Sequence, residues 1–143
     1  MTQPKAHVLF LCTGNSCRSQ MAEGYANFLG AGKIEAQSAG IEAHGKNARA
    51  VAIMAEDDID ISDQESTMVS EEMLNWADVV VTVCGHADEH CPTVAKTLVR
   101  KHWPLNDPAK AQGNEDEITS EFRRIREDVK QRVIELIENL QYT

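Results

Sequence analysis

Long apolar runs and an excess of basic residues are both missing from this sequence, and aromatic residues are scarce. No apolar run approaches the length of a membrane-spanning helix, and the polar first residues with the short apolar run after them do not resemble a signal peptide. With 14 lysines and arginines against 23 acidic residues, the formal net charge is −9. We therefore expect no non-specific binding to nucleic acid or to an anionic membrane, and the cytoplasm is the default compartment.

The length and the cysteine count narrow the class of protein. The chain has 143 residues, which predicts a single domain over residues 1–143 with one hydrophobic core. It contains four cysteines. In a cytoplasmic protein, cysteines are more often catalytic or redox-active than joined in structural disulfides. Cysteine chemistry is therefore the first function to consider.

The apolar pattern predicts an α/β fold. Strands are expected at residues 7–11, 33–38, 78–83 and 98–103, and helices at 20–29, 48–57, 71–77 and 118–140. This order predicts a four-stranded parallel sheet flanked by helices on both faces. The terminal helix should bury one stripe, made of Ile118, Phe122, Ile125, Val129, Val133, Leu136 and Leu140. The helix at 48–57 should have Asn47 as its cap and its apolar face at Ala48, Val51, Ala52 and Ala55. Ser70 should cap the helix at 71–77.

Residues 12–19, Cys-Thr-Gly-Asn-Ser-Cys-Arg-Ser, lie between the first predicted strand and the first predicted helix. The N–H groups at a helix N-terminus have no intrahelical partner and the helix dipole favours negative charge, so such a loop suits an anion. Gly14 permits a tight turn, and Asn15 tolerates a left-handed backbone. Arg18 offers a planar fork that fits a tetrahedral oxyanion. The same field favours the thiolate of Cys12, which makes Cys12 the candidate nucleophile.

The other residues of the loop complete a candidate oxyanion site. Besides Gly14, Asn15 and Arg18, the expected ligands are Thr13, Ser16, Cys17 and Ser19. A buried structural cysteine in an ordinary turn is the alternative for Cys12, but its place between an apolar strand and a helix favours the functional interpretation. For Cys17, which lacks an obvious chemical task, a small packed side chain is the simpler role. The spacing of Cys12 from Arg18-Ser19 resembles the oxyanion loop of the low-molecular-weight tyrosine phosphatase superfamily.

Asp107 and Pro108 follow the last predicted strand, where they resemble the acid loop of the same superfamily. The resemblance implies that Asp107 protonates the leaving group. This pairing is chemically coherent, because a thiolate that expels an alkoxide or hydroxide needs a proton donor. Asp-Pro is also common in turns, so the inference depends on its position in the chain.

Two further cysteines do not fit a plain phosphatase. Cys84 stands at the C-terminal end of the third predicted strand, at the sheet edge where ligands bind, and Cys91 follows seven residues later. Cleaving a phosphate ester has no use for them, whereas reducing an oxyanion by two electrons leaves oxidised sulfur behind. We predict a relay in which Cys12 bonds to the oxyanion, Cys84 attacks Cys12 and expels the reduced product, and Cys91 attacks Cys84.

The whole chain resembles thioredoxin-coupled arsenate reductases. The matching stretches are residues 12–24, 38–42, 58–62 and 79–82, with Cys84, Cys91-Pro92, His102-Trp103 and Asp107-Pro108. The resemblance implies that arsenate is reduced to arsenite in arsenic detoxification. It also implies that thioredoxin reduces the disulfide left on Cys84 and Cys91, while the sequence itself leaves a glutaredoxin-type carrier open as the alternative. We expect a cytoplasmic monomer that requires no bound cofactor.

Two metal sites can be considered from these residues. Some relatives bind potassium beside the loop through residues matching Asn15, Ser38 and two residues of the connector, which is residues 63–67 of this chain. Here Glu65 and Thr67 stand where a threonine and an aspartate are expected, which keeps oxygen ligands but departs from the family pattern.

A zinc site from Cys84, His86, His90 and Cys91 is the other metal site that the residue types allow. Binding both thiols would block the redox relay. We therefore assign no metal ligand.

Two other functions stay open at this point. One is a low-molecular-weight protein tyrosine phosphatase in which Cys84 and Cys91 are incidental. Aromatic substrates would need an apolar rim, and an aromatic content of 5% does not indicate one. The other is a non-enzymatic oxyanion sensor or redox switch, which multiple turnover with a supplied reductant would exclude.

Overall fold

The computed structural model describes residues 5–15, 17–84 and 99–140, without the side chains of Ala109 and Leu140. Its strands are β1 (Ala6–Cys12), β2 (Ile34–Gly40), β3 (Val79–Thr82) and β4 (Val99–His102). Its helices are α1 (Arg18–Leu29), α2 (Ala48–Glu56), α3 (Glu71–Trp76), a 3-10 turn (Pro108–Lys110) and α4 (Glu115–Leu140). The four strands form one parallel sheet in the order β2-β1-β3-β4, which confirms the predicted fold class.

The two central strands, β1 and β3, explain why the sheet needs cover on both sides. Residues 8–12 of β1 and all four residues of β3 are buried. Since successive side chains of a strand point to opposite faces, both faces of these strands are covered. α1 packs against β1, β2 and α4, and α3 packs against β1. All four residues of β4, the edge strand next to β3, are exposed.

The long terminal helix α4 buries the stripe that its sequence predicts. Five of the predicted positions are buried and Ile118 is partly buried against the core, while the side chain of Leu140 lies outside the described residues. Ile137 is buried as well, although the pattern did not single it out. The helix therefore belongs to the core along most of its length.

The predicted apolar face of α2 is wrong. Ala50, Ile53 and Met54 are its buried residues, whereas Ala48, Ala52 and Ala55 are exposed and Val51 is half-buried. The helix is apolar around much of its circumference, so spacing alone does not choose a face. Ile53 and Met54 offer more apolar area than three alanines, and their burial therefore stabilises the fold more.

Both helix caps read from the sequence are present. The side chain of Asn47 accepts hydrogen bonds from the N–H groups of Arg49 and Ala50, at 2.9 and 3.1 Å, which fixes the start of α2. The hydroxyl of Ser70 accepts one from the N–H of Met73 at 3.2 Å, which fixes the start of α3. Each cap satisfies N–H groups that the helix itself leaves without a partner.

The register of the sheet brings the ends of three strands to one edge. Cys12, the last residue of β1, is paired with Gly40 at the end of β2. Leu11 is paired with Thr82 at the end of β3, two residues before Cys84. The loop after β1 and the residues after β3 consequently lie side by side. None of the helices in the described ranges has the length and apolar character needed to cross a membrane.

Candidate active site

The loop after β1 is held in shape by one left-handed residue and one close contact. Asn15 has a φ of 51°, the left-handed conformation expected for it. Gly14 has a steric role, because a Cβ there would lie 2.2 Å from Nδ1 of His44. The carbonyls of Cys12, Thr13 and Gly14 accept hydrogen bonds from the N–H groups of residues 41, 42 and 44, at 3.1, 2.8 and 2.9 Å. The segment after β2 therefore stabilises the loop through these three main-chain hydrogen bonds.

The sulfur of Cys12 lies inside this loop and is 3% exposed, counted over the residue. It accepts a hydrogen bond from the N–H of Asn15 at 3.1 Å and lies 2.8 Å from the hydroxyl oxygen of Ser19. Hydrogen bonds from both groups stabilise negative charge on sulfur. The helix N-terminus beside it has no side-chain cap at Cys17 and no acidic residue in the first turn of α1. This end of α1 is therefore suited to an external anion.

Arg18, the first residue of α1, connects the loop to the residues that follow β3 and β4. Its Nη1 donates hydrogen bonds to the carbonyls of Leu105 and Val83, at 3.0 and 3.4 Å. Its Nη2 lies 3.7 Å from Oδ2 of Asp107, and the Arg18 side chain is only 9% exposed. With both protons of Nη1 directed to carbonyls, Nε and Nη2 form the edge of the guanidinium that can meet an oxyanion. The structure thus brings Asp107 to the oxyanion loop, as the sequence argument requires.

Cys84 lies against the same loop. Its sulfur is 3.2 Å from the hydroxyl oxygen of Thr13, the residue after Cys12. Cys12, Cys17 and Cys84 are all buried and all present as thiols. Cys91 and Ser16, together with His86 and His90 of the alternative zinc set, lie outside the described residues. Of the three cysteines in the predicted relay, the structure therefore describes Cys12 and Cys84.

Comparison with known proteins agrees with this geometry. The family model for low molecular weight phosphotyrosine protein phosphatase matches residues 7–143. The chain belongs to this family. The features described above are accordingly those of a family member. They include the four-stranded parallel sheet, the loop between β1 and α1, and the placement of Asp107 beside Arg18.

Within the family, the chain is most informatively compared with three proteins. An arsenate reductase of Halalkalibacterium halodurans is 49% identical over 129 residues, which are 90% of this chain and 93% of the relative. The structure of an arsenate reductase in the phosphate binding state has a TM-score of 0.78 at 38% identity, covering 94% of this chain and 98% of that one. A low molecular weight protein tyrosine phosphatase from T. tengcongensis has a TM-score of 0.78 at 29% identity, covering 94% and 99%. The family resemblance stated from the sequence is confirmed.

The oxygen-bearing residues expected around a potassium ion do gather beside Asn15. Nδ2 of Asn15 donates to the hydroxyl of Ser38 at 3.0 Å, and Oδ1 of Asn15 accepts from the N–H of Thr67 at 2.7 Å. The main-chain carbonyl of Glu65 accepts from Gln20, and the residue itself is exposed. Each of these oxygens accepts one hydrogen bond within the protein and keeps a second lone pair. We derive no reaction step through potassium.

The family's loop is supported by residues that the sequence argument did not assign. Glu23 accepts a hydrogen bond from the hydroxyl of Ser38 at 2.6 Å, and burial raises the pKa of Glu23 although that bond lowers it. The hydroxyl of Ser66 donates to the carbonyl of Gly14 at 3.2 Å. The only sequence signal for Glu23 was its place in residues 12–24, which resemble the family. Ser66 had no signal beyond its place in the connector.

Gly40 is another supporting residue, and it has no side chain at all. A Cβ on Gly40 would lie 2.2 Å from the carbonyl oxygen of Glu42 and 2.8 Å from both the nitrogen of Asn15 and the carbonyl oxygen of Thr13. All three atoms belong to main chain, which cannot move aside without moving the loop. The end of β2 is therefore packed directly against the candidate site.

Proposed function

We propose that this chain is an arsenate reductase that reduces arsenate to arsenite for arsenic detoxification. Cys12 is the nucleophile, and Cys84 and Cys91 are the thiols that resolve the oxidised product. The observation that supports this best is the position of Cys84, whose sulfur lies 3.2 Å from Thr13 in the oxyanion loop. A phosphatase has no chemical use for a second thiol at that place. The arsenate reductases among the similar proteins support the same substrate.

The first step joins arsenate to the protein. The Cys12 thiolate attacks arsenic, an arsenic–sulfur bond forms, and one arsenic–oxygen bond breaks. Nε and Nη2 of Arg18, with the main-chain N–H groups at the start of α1, hold the oxyanion during the attack. Asp107, 3.7 Å from Arg18, donates the proton that lets the departing oxygen leave as water.

The second step reduces the arsenic. The Cys84 thiolate attacks the sulfur of Cys12, so that a sulfur–sulfur bond forms and the arsenic–sulfur bond breaks. The bonding pair stays on arsenic, which passes from the pentavalent to the trivalent state and leaves as arsenite. The two electrons come from the two thiols, which end as a Cys12–Cys84 disulfide. This step requires Cys84 to reach the sulfur of Cys12 from its place against Thr13.

The third step restores the nucleophile. The Cys91 thiolate attacks the sulfur of Cys84, and Cys12 leaves as a thiolate ready for another arsenate. The dithiol of thioredoxin then reduces the Cys84–Cys91 disulfide and is itself oxidised. The steps after the second are thiol–disulfide exchanges, and thiols supply both electrons for the reduction, so the reaction requires no bound cofactor. One chain supplies all the residues, and we propose that it works as a monomer in the cytoplasm, where thioredoxin keeps thiols reduced.

The test of this function is arsenite production by the purified protein. Thioredoxin, its reductase and NADPH should support many turnovers with arsenate, with one arsenite formed for each NADPH consumed. The Cys12→Ser variant should show neither arsenite nor NADPH consumption. Replacing thioredoxin with glutaredoxin and glutathione identifies the carrier. Binding of arsenate without multiple turnover under either reductant would instead indicate a sensor or redox switch.

Hydrolysis of phosphate esters is the second candidate function, because Cys12, Arg18 and Asp107 are the groups that such hydrolysis needs. Among the described residues, however, the exposed aromatic Phe28 lies near the far end of α1, about 15 Å along the helix from Arg18. It cannot form a rim for an aromatic substrate at the loop. Comparing kcat/KM for an aryl phosphate with that for arsenate decides between the two functions.

A further inference from the structure

Gln20 is a buried carboxamide in the first turn of α1 that the reaction steps above do not use. The residue is 1% exposed. Its Nε2 donates to the main-chain carbonyl of Asn15 at 3.1 Å and to the main-chain carbonyl of Glu65 at 2.9 Å. Its Oε1 accepts from Nε2 of Gln64 at 2.7 Å. Both amide protons and the amide oxygen are therefore used, which gives the side chain one fixed orientation.

The contact with Asn15 matters because Asn15 is held in a conformation that L-residues avoid. Its φ of 51° is left-handed, and a residue with a Cβ keeps this conformation only where its surroundings fix it. The side chain of Asn15 is fixed by Ser19, Ser38 and Thr67. Gln20 is the side chain that holds the main-chain carbonyl.

The main chain of Asn15 also contacts the reactive sulfur. Its N–H donates to Sγ of Cys12 at 3.1 Å. The carbonyl and the N–H of Asn15 belong to neighbouring peptide planes that meet at its Cα, so a shift of the carbonyl that displaces this Cα also moves the N–H away from the sulfur. Asn15 thus links Gln20 to Cys12 through two hydrogen bonds, and the hydrogen bonds that the structure describes for the Gln20 side chain go to Asn15, Glu65 and Gln64.

We propose that Gln20 is a positioning residue for the reaction, whose carboxamide fixes the main chain of Asn15 so that the Asn15 N–H stays bonded to Cys12. This inference rests on the proposed function for its reaction. The bonds that it concerns are those of the family's loop and involve no arsenate. Gln20 acts through Asn15, so its loss should slow the chemistry of Cys12 without removing any group that touches the substrate.

Gln64 supplies a matched control for this role. Its Nε2 donates to the main-chain carbonyl of Gln20 at 2.9 Å and to Oε1 of Gln20 at 2.7 Å. The change Gln64→Met therefore disturbs the same pair of amides but leaves the Gln20 donors with Asn15 and Glu65. Gln20→Met removes those donors at nearly unchanged side-chain volume.

The experiment measures the rate at which iodoacetamide alkylates Cys12 at pH 7, followed by peptide mapping, in the full chain and both variants. Gln20→Met should slow this alkylation by about tenfold, the size expected when a hydrogen bond to an ionised sulfur is lost. The alkylation rate of Gln64→Met should stay within about threefold of the rate in the unchanged protein. The Tm of the two variants should drop by a comparable amount. Arsenate kcat/KM should fall in parallel with alkylation in Gln20→Met.

Equal slowing in the two variants, or unchanged alkylation of folded Gln20→Met, would overturn the positioning role. If Gln20→Met does not fold, Gln20→Leu gives the same test, because leucine also removes both donors without burying a charge beside the Asn15 and Glu65 carbonyls, and it should show the same slowing. Alkylation requires no substrate. A failure of arsenate reduction in the unchanged protein would therefore leave this result interpretable.

Discussion

The hydroxyl oxygen of Thr13 lies 3.2 Å from the sulfur of Cys84, although 71 positions separate the two residues. Thr13 directly follows Cys12, so this contact places the thiol of Cys84 at the edge of the oxyanion loop. In the proposed reaction, Cys84 is the thiol that attacks Cys12 in the second step.

Replacing Thr13 by valine should slow that second step. Valine keeps the shape of threonine but removes the hydroxyl that contacts Cys84, so the thiol is less well placed. We expect the Cys12–Cys84 disulfide to form several-fold more slowly, while the affinity for phosphate is little changed, since the main chain of the loop is intact. Rapid quenching of a single turnover, with arsenite release as the signal, measures this. Thr13→Ser retains the hydroxyl and should behave like the unchanged protein.

Replacing Cys91 by serine should stop the enzyme after one turnover. Arsenite is released when Cys84 attacks Cys12, which does not require Cys91, but nothing then frees Cys12. Peptide mapping after arsenate treatment should find Cys12 joined to Cys84 and one arsenite per chain. Unmodified Cys12 together with continued turnover would show that the thiols act in another order.

Replacing both Cys84 and Cys91 by serine should separate the two candidate activities. Arsenate turnover should disappear, because arsenic bound to Cys12 can no longer be reduced. Slow hydrolysis of an aryl phosphate should survive, because Cys12, Arg18 and Asp107 are unchanged. Adding Asp107→Asn should then lower this hydrolysis by about 10²-fold or more, the usual contribution of a general acid. Loss of both activities in the double variant would mean that the loop cannot act alone.

The ion pairs between α2 and α4 predict how stability changes with pH. Hydrogen bonds from Arg123 and then Arg126 hold the pKa of Glu56 at about 2, below its ordinary value of 4.5. A carboxyl group with a lower pKa in the folded chain stabilises the fold above pH 4.5, and this contribution disappears as the pH falls through about 2. Glu56→Gln should therefore lower Tm at pH 7, by a small amount because the pair is exposed.

The measurement for Glu56 is the difference in Tm between the variant and the unchanged protein, taken from pH 7 down to pH 2. The difference should shrink across the acid range and should also shrink in high salt. Glu138→Gln, on an exposed part of α4 that makes no ion pair within the described ranges, is the control for removing one negative charge. A difference that stays constant with pH would rule out the ion pairs as its cause.

Local features of the sequence were sufficient to predict most of the fold. β1 is recognisable because five consecutive apolar residues cannot be exposed, and α4 because its stripe repeats over many turns. The caps at Asn47 and Ser70 are short-range contacts, so the sequence around them predicts them. α2 was assigned the wrong face because its nine residues are apolar on several sides, and only the packing against α4 selects one.

The support of the candidate site could not be predicted in the same way. Gln20 and Gln64 are 44 positions apart, and Ser66 lies 52 positions from Gly14. No periodic pattern links such residues, because the fold of the connector brings them together. Cys12 and Arg18 could be assigned because they lie in one short loop before a helix, and Asp107 because its position after the last strand resembles the acid loop of the family.

Gly40 has a consequence for how mutational scans of this protein should be understood. Its missing side chain leaves room for main-chain atoms of Glu42, Asn15 and Thr13, so that alanine, the smallest replacement, would push against all three. In a screen that selects bacteria for growth on arsenate, position 40 should tolerate substitution as poorly as the reactive cysteines do. A ranking of residues by their sensitivity to substitution would therefore place Gly40 among the residues that carry out the chemistry. The contribution of Gly40 is a different one, because it leaves space for the neighbouring main chain.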